Sequence, residues 1–253
     1  MKGHNLPPHL IALALITLLL SGCGILSPVS APTETPRVTV KEVSFTTEDD
    51  VKLAGTLYLP GEEDIAVVLA HQGTKGTDQR SWQPFAELIA ERGFAALTFD
   101  FRGRGQSGGY LIVPRLERDM RAAIGFLRDQ GFNRIVCMGA SMGGSACLRA
   151  ALDTDLEGLV VIASPMNLGQ TPTVGVEDFT MLTMPKLYVC AEDDSVDGSR
   201  TGLAAVITNM YTISPEPKEI RIFPGTAHGT YLFDTEYGDE FRKLLVDFLE
   251  GLR

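Results

Sequence analysis

Groups that hold metals or form disulfides are scarce in this chain. It has four histidines and four cysteines among 253 residues, and no spacing between them resembles the paired ligands of a zinc site. Two of the histidines, His4 and His9, fall in an N-terminal leader, which leaves His71 and His228 for a folded domain. A metal-dependent enzyme is disfavoured, and no cofactor is expected. Cations are also short: 22 Lys and Arg stand against 32 Asp and Glu, a net charge of -10. Nucleic-acid binding rests on clustered cations that displace counterions from phosphates, and no basic stripe is present, so no nucleic-acid partner is expected. The apolar run at 10–20 has about 11 residues, well below the roughly 20 that a helix needs to span a bilayer core. The whole chain is 44% hydrophobic and 21% charged, an ordinary make-up for a single globular domain.

The run at 10–20 follows Lys2 and His4 and ends at Ser21, Gly22 and Cys23. That is the layout of a signal peptide over residues 1–22. Leu20-Ser21-Gly22-Cys23 resembles the lipobox of bacterial lipoproteins. The resemblance implies that Cys23 is acylated, becomes the mature N-terminus and tethers an exported protein to a membrane of the cell envelope. A plain signal peptide that happens to contain a cysteine, and an uncleaved anchor, are the alternatives. Residues 23–37 carry Pro28, Pro32 and Pro36 among Ser and Thr and read as an extended spacer. Of the other cysteines, Cys137 and Cys190 sit in apolar strand-like runs and Cys147 in a helical one. Three thiols cannot all pair with one another, and they read as buried core residues.

Residues 38–253 read as one α/β domain. Two runs rich in β-branched residues, 38–47 and 51–59, flank the turn Glu48-Asp49-Asp50 and suggest an antiparallel hairpin. Short apolar runs without alternation follow at 65–70, 94–99, 134–139, 159–163, 186–190 and 219–223. These suit strands buried on both faces of a parallel sheet. Helical periodicity lies between them, at 78–92, 116–130, 144–152, 199–211 and 240–252. This alternation specifies a doubly wound, mostly parallel sheet with helices on both faces.

Gly139-Ala140-Ser141-Met142-Gly143 falls between the strand at 134–138 and the helix at 144–152, the setting of a nucleophile elbow. A strand turning sharply into a helix leaves no room for side chains beside the serine. The helix N-terminus offers free N–H groups to a developing oxyanion. A serine needs a base, and in this order of elements the base follows it, which selects His228, just after the last strand. The carboxylate that orients the histidine belongs at the end of a strand. Glu192, Asp193 and Asp194 all follow the run 186–190, and Asp194 is preferred over Asp193 and then Glu192.

These features resemble the α/β-hydrolase family over about 38–253, specifically its small, nearly capless esterase-like members similar to dienelactone hydrolase and prolyl oligopeptidase. Asp100-Phe101-Arg102-Gly103-Arg104-Gly105-Gln106-Ser107-Gly108 resembles the family's D-x-R-G-x-G-x-S-x-G loop, which implies a scaffold role for Asp100 and Arg102. The resemblance also implies an oxyanion hole from the N–H groups of Gly73 and Met142. Gln72 stands where the family usually has glycine and offers a side-chain or backbone donor instead. Only about twenty residues separate the strand ending at 163 from that starting at 186, too few for a full cap. Met166, Val174, Phe179, Met181, Leu182 and Met184 either line an acyl pocket or cover the sheet. The expectation is a serine hydrolase acting on small-molecule carboxylic esters through an acyl-Ser141 intermediate. Peptidase or acyltransferase chemistry on the same residues, and a non-catalytic ligand-binding lipoprotein, are the alternatives.

Overall fold

Five consecutive apolar runs form parallel strands because both of their faces are covered, and a sixth joins them at the edge. In the computed structural model, residue 1 and residues 38–61, 64–169, 173–195 and 202–253 are described. The leader beyond Met1, the lipidation position Cys23 and the spacer to residue 37 lie outside the described residues. The strands are β1 (Thr39–Thr46), β2 (Lys52–Leu59), β3 (Ile65–Ala70), β4 (Ala95–Phe99), β5 (Arg134–Ala140), β6 (Gly158–Ile162), β7 (Lys186–Ala191) and β8 (Lys218–Phe223). They make a single sheet in the order β1-β2-β4-β3-β5-β6-β7-β8. β1 and β2 form the expected hairpin, and β2 pairs antiparallel with β4. All pairings from β4 through β8 are parallel. Every residue of β3, β6 and β7 is buried, while the edge strands β1 and β8 keep Lys41, Glu42, Glu219 and Arg221 exposed. Charged edges of this kind deter pairing with further strands.

The helices are α1 (Gln83–Glu91), α2 (Leu116–Asp129), α3 (Met142–Ala151), α4 (Leu203–Ile213) and α5 (Gly238–Glu250). The stretch expected as one helix from Asp78 is divided: a 3-10 turn, Gln79–Trp82, precedes α1. Pro84 is the reason. It has no N–H and clashes with the carbonyl four residues back, so it is tolerated only in a helix's first turn. The start expected for α4 lies outside the described residues, and the helix runs two residues further than expected, to Ile213. α5 begins two residues early at Gly238 and stops at Glu250, so Leu252 packs against the core from beyond the helix.

The order of strands reverses at β3, since the chain moves from β3 to β4 on one side and then to β5 on the other. A crevice opens at such a point outside the carboxyl ends of the strands. β3 ends at Ala70 and β5 at Ala140, so the segments His71-Gln72-Gly73 and Ser141-Met142 emerge there side by side. An aromatic cluster fixes a third segment nearby. Phe233 lies 5.7 Å from Trp82, 5.6 Å from Phe85 and 4.6 Å from Phe241 between ring centroids. It thereby joins the turn after β8 to both α1 and α5. Each such pair contributes about 0.5–1.5 kcal/mol beyond its buried area.

Candidate active site

The turn from β5 into α3 holds Ser141 at φ 51° and ψ -115°. A non-glycine residue in this region carries about 1–3 kcal/mol of strain and persists only where its surroundings enforce it. Here the Ser141 N–H donates to the Ile162 carbonyl of β6 at 2.8 Å, and the Ser145 N–H donates to the Ser141 carbonyl at 3.0 Å. The neighbouring glycines are required by close approach. A Cβ on Gly143 would overlap the Ala70 carbonyl at the end of β3, and one on Gly144 would overlap Ser164 Oγ. α3 starts at Met142, so its free N–H groups and positive dipole end lie directly after Ser141.

The segment after β3 is a rigid peptide plane. His71 is fully buried, and its Nε2 accepts from the Phe101 N–H at 3.2 Å. Its proton therefore sits on Nδ1, which donates to the Gln72 carbonyl at 2.8 Å. Burial lowers the His71 pKa and keeps the ring neutral. Thr77 Oγ1 lies 2.9 Å from the same carbonyl oxygen. In a planar trans peptide the next N–H points opposite to that carbonyl, so the Gly73 N–H turns away from His71 and Thr77. Gly73 itself packs on Met142, since a Cβ added to it would lie 3.1 Å from Met142 Sδ. The Gly73 carbonyl is held by Arg104 Nη2 at 2.8 Å. The two residues expected to form an oxyanion hole are thus in contact.

Gln72 is completely buried, and its carboxamide is committed elsewhere. Its Nε2 donates to Thr74 Oγ1 at 3.0 Å. Its Oε1 accepts from the Thr230 N–H at 2.8 Å and from Thr230 Oγ1 at 3.1 Å. One of the two N–H groups of the side-chain donor considered as a substitute for Gly73 is therefore given to Thr74.

His228 leads a 3-10 turn, Gly229–Asp234, and its Nδ1 lies 2.9 Å from Asp194 Oδ2 and 3.1 Å from Oδ1. Of the three adjacent acids, Glu192 and Asp193 are exposed, while Asp194 is 1% exposed. The chain makes this selection through its backbone. The Glu192 N–H donates to the Phe223 carbonyl at 2.8 Å and that of Asp193 to the Gly225 carbonyl at 2.9 Å, and the Asp194 N–H closes a turn onto Ala191. With Nδ1–H given to Asp194, His228 Nε2 carries a lone pair, and the ring remains 18% exposed. The histidine turn backs onto the elbow, since a Cβ on Gly229 would sit 3.2 Å from the Ala140 Cβ. Beneath Asp194, Cys190 Sγ donates to Oδ2 at 3.9 Å. Burial first, and then the Asp194 charge, push the Cys190 thiol up to about 12.

Asp100 and Arg102 of the glycine-rich loop serve the scaffold. Asp100 accepts from the N–H groups of Gln79 and Gln106, both at 2.8 Å. Arg102 pairs with Asp119 and Asp49. Val174, Phe179 and Leu182 are buried in the core, Met166 and Met184 are half-buried against it, and Met181 is 60% exposed. Most of that apolar set therefore joins the hydrophobic core. Cys137, Cys147 and Cys190 are buried free thiols, as expected.

Residues 61–203, more than half of the chain, match the family model for serine aminopeptidase, S33 (Hydrolase_4). The match includes Ser141 and Asp194 and ends before His228. Among similar proteins, the uncharacterized protein YfhR of Escherichia coli K12 is 24% identical over 234 residues, covering 83% of this chain and 80% of that one. The quorum-quenching protein AidA of Acinetobacter baumannii is 30% identical over 161 residues, 60% of this chain and 53% of its own length. Among solved structures, an esterase of Pyrococcus furiosus, Pf2001, superposes with a TM-score of 0.70 at 22% identity, covering 84% of this chain and 92% of that one. At that identity the likeness is one of fold, the α/β-hydrolase fold.

Proposed function

This chain belongs to the serine aminopeptidase, S33, family of α/β hydrolases, and on that premise we propose that it hydrolyses carboxylic esters of small molecules through an acyl-Ser141 intermediate. The observation that carries this reading is the buried Asp194 bonded to His228 Nδ1, with the histidine turn packed against the residue that precedes Ser141. In this account His228 Nε2 takes the Ser141 proton as Oγ attacks the ester carbonyl. Asp194 holds the imidazole in the required tautomer and stabilises it once protonated. The N–H groups of Gly73 and Met142 receive the developing oxyanion, and the start of α3 adds a favourable dipole. The imidazolium then gives its proton to the departing alcohol, leaving the acyl group on Ser141. A water, deprotonated by His228, attacks that acyl group and regenerates the serine. These steps need no cofactor.

An alkoxide is a far weaker base than the anion of an amine, so an oxygen ester asks less of the proton that His228 supplies than a peptide bond does. Peptidase and acyltransferase chemistry would use the same residues with a different leaving group or acceptor. Hydrolysis of a chain-length series of p-nitrophenyl esters, with Ser141→Ala and His228→Ala beside the parent, tests the proposal. Turnover abolished by both substitutions supports it. A parent protein without turnover moves the ligand-binding reading ahead. The acylated Cys23 and an envelope location belong to the same proposal, and mass measurement of the mature N-terminus tests them, since an unmodified Cys23 excludes the lipid tether.

A further inference from the structure

We propose that Gln72 is a positioning residue for this reaction, its carboxamide locking the turn that carries His228 to the turn that carries the oxyanion donor Gly73. The inference rests on the roles just assigned to His228 and Gly73. Gln72 is fully buried, and both lone pairs of its Oε1 are used by one residue, Thr230, 158 positions away in the chain. Those two bonds define the backbone path two residues after His228. Gly229 shows how closely that path is moulded on the carboxamide. It adopts φ +60°, and any Cβ there would overlap Gln72 Oε1 on one side and crowd Ala140 on the other. The third bond, from Nε2 to Thr74 Oγ1, anchors the carboxamide within its own turn.

The consequence is geometric. Asp194 fixes the orientation of the imidazole but not the distance between its turn and the Gly73–Met142 pair. Gln72 is a direct side-chain link between the Gly73 turn and the histidine turn. General-base and oxyanion stabilisation must act on one substrate atom set at once, and a misplacement of about 1 Å between such groups costs on the order of 100-fold in rate. Binding of the acyl chain does not depend on that distance. The expected signature of losing the link is therefore a fall in kcat with KM retained.

Three variants of the full chain test this. Gln72→Met has nearly the same shape but no acceptor for Thr230, and is expected to lower kcat by roughly 30- to 100-fold with KM within about twofold. Gln72→Glu keeps an oxygen for both Thr230 donors, and the Thr74 hydroxyl reverses to donate to the second oxygen. It is expected to restore kcat to within about fivefold of the parent. Thr230→Val removes only the hydroxyl bond, costs less than Gln72→Met, and adds nothing when combined with it. Hydrogen exchange supplies a readout independent of turnover, because the Thr230 amide should be protected in the parent and in Gln72→Glu and exposed in Gln72→Met. A folded Gln72→Met with kcat within about threefold of the parent overturns the proposal, as does a Gln72→Glu no better than Gln72→Met. If the parent itself neither turns over esters nor labels with a fluorophosphonate, the hydrolase reading has failed and the positioning role fails with it. The exchange data would then describe a purely structural tie.

Discussion

Removing the Asp119 carboxylate should unfasten three parts of the molecule at once. Arg102 and Asp119 are 1% and 0% exposed, and Arg102 Nη2 lies 2.6 Å from Asp119 Oδ1. Asp119 also accepts from Arg102 Nε at 2.7 Å and from the Arg102 backbone N–H at 2.9 Å. Asp49, in the turn between β1 and β2, takes the other guanidinium face through two bonds of 2.9 Å. In Asp119→Ala the guanidinium stays buried with half of its partners, and the Arg102 N–H loses its acceptor. Breaking a buried pair in this way costs about 3–5 kcal/mol, and the surviving Asp49 contacts place the expected loss near 3. For a domain of this size that is a fall in Tm of roughly 6–12 °C. Replacing both partners, as in Arg102→Met with Asp119→Leu, should cost less than the single change, because no charge is then stranded. Urea and thermal unfolding at pH 7 measure both. The sign of the pH dependence follows from Asp49, whose carboxyl is held well below the usual range mainly by its bonds from Arg102. Its contribution is present above the ordinary carboxylate pKa and is lost as the medium is acidified from about pH 4 downward. Arg102→Met should therefore lose less stability on acidification than the parent. A loss below about 1 kcal/mol in Asp119→Ala, or a double variant worse than the single, would refute this reasoning.

Other predictions concern the site and its supports. Asp194→Asn should lower kcat by about 10³- to 10⁴-fold because the histidine tautomer is no longer enforced. Asp193→Asn should stay within about twofold because its carboxylate faces screening water, and steady-state kinetics on the two variants checks both. Two glycines should respond oppositely to alanine in urea melts. Gly144→Ala overlaps Ser164 Oγ and should destabilise by about 1–3 kcal/mol. Gly125→Ala, within α2 with open space around it, should stabilise by about 0.5–1 kcal/mol. Burial raises the Cys147 and Cys190 thiols, so Ellman's reagent followed by peptide mapping should find Cys137, Cys147 and Cys190 unmodified at pH 8 until the protein is unfolded.

The strands were legible because burial on both faces writes an uninterrupted apolar run, as in residues 65–70 and 186–190, within a residue or so of the observed ends. The turn at Ser141 was legible because close packing there demands glycine at 139, 143 and 144, and glycine is visible in a sequence. The pairing of Asp194 with His228 was legible only as a choice among three acids. What decides it is backbone bonding of Glu192 and Asp193 to the segment 223–225, a contact with no local signature. The division of the first helix is written in Pro84, but the apolar stripe continues through it and masks the break. Gln72 stood out only as an unusual residue in its turn. Its link to Thr230 spans 158 positions, and neither residue has a periodicity or motif that announces the other. The same holds for Asp49, Arg102 and Asp119, which come from a turn, a loop and a helix.

The most direct measurement is to treat the purified protein with a fluorophosphonate and locate the adduct by mass spectrometry of its peptides. One stoichiometric adduct on Ser141 is expected, formed far more slowly in His228→Ala and absent in Ser141→Ala. An adduct on another residue, or none on a protein that is folded, would contradict the assignment of Ser141 as the nucleophile.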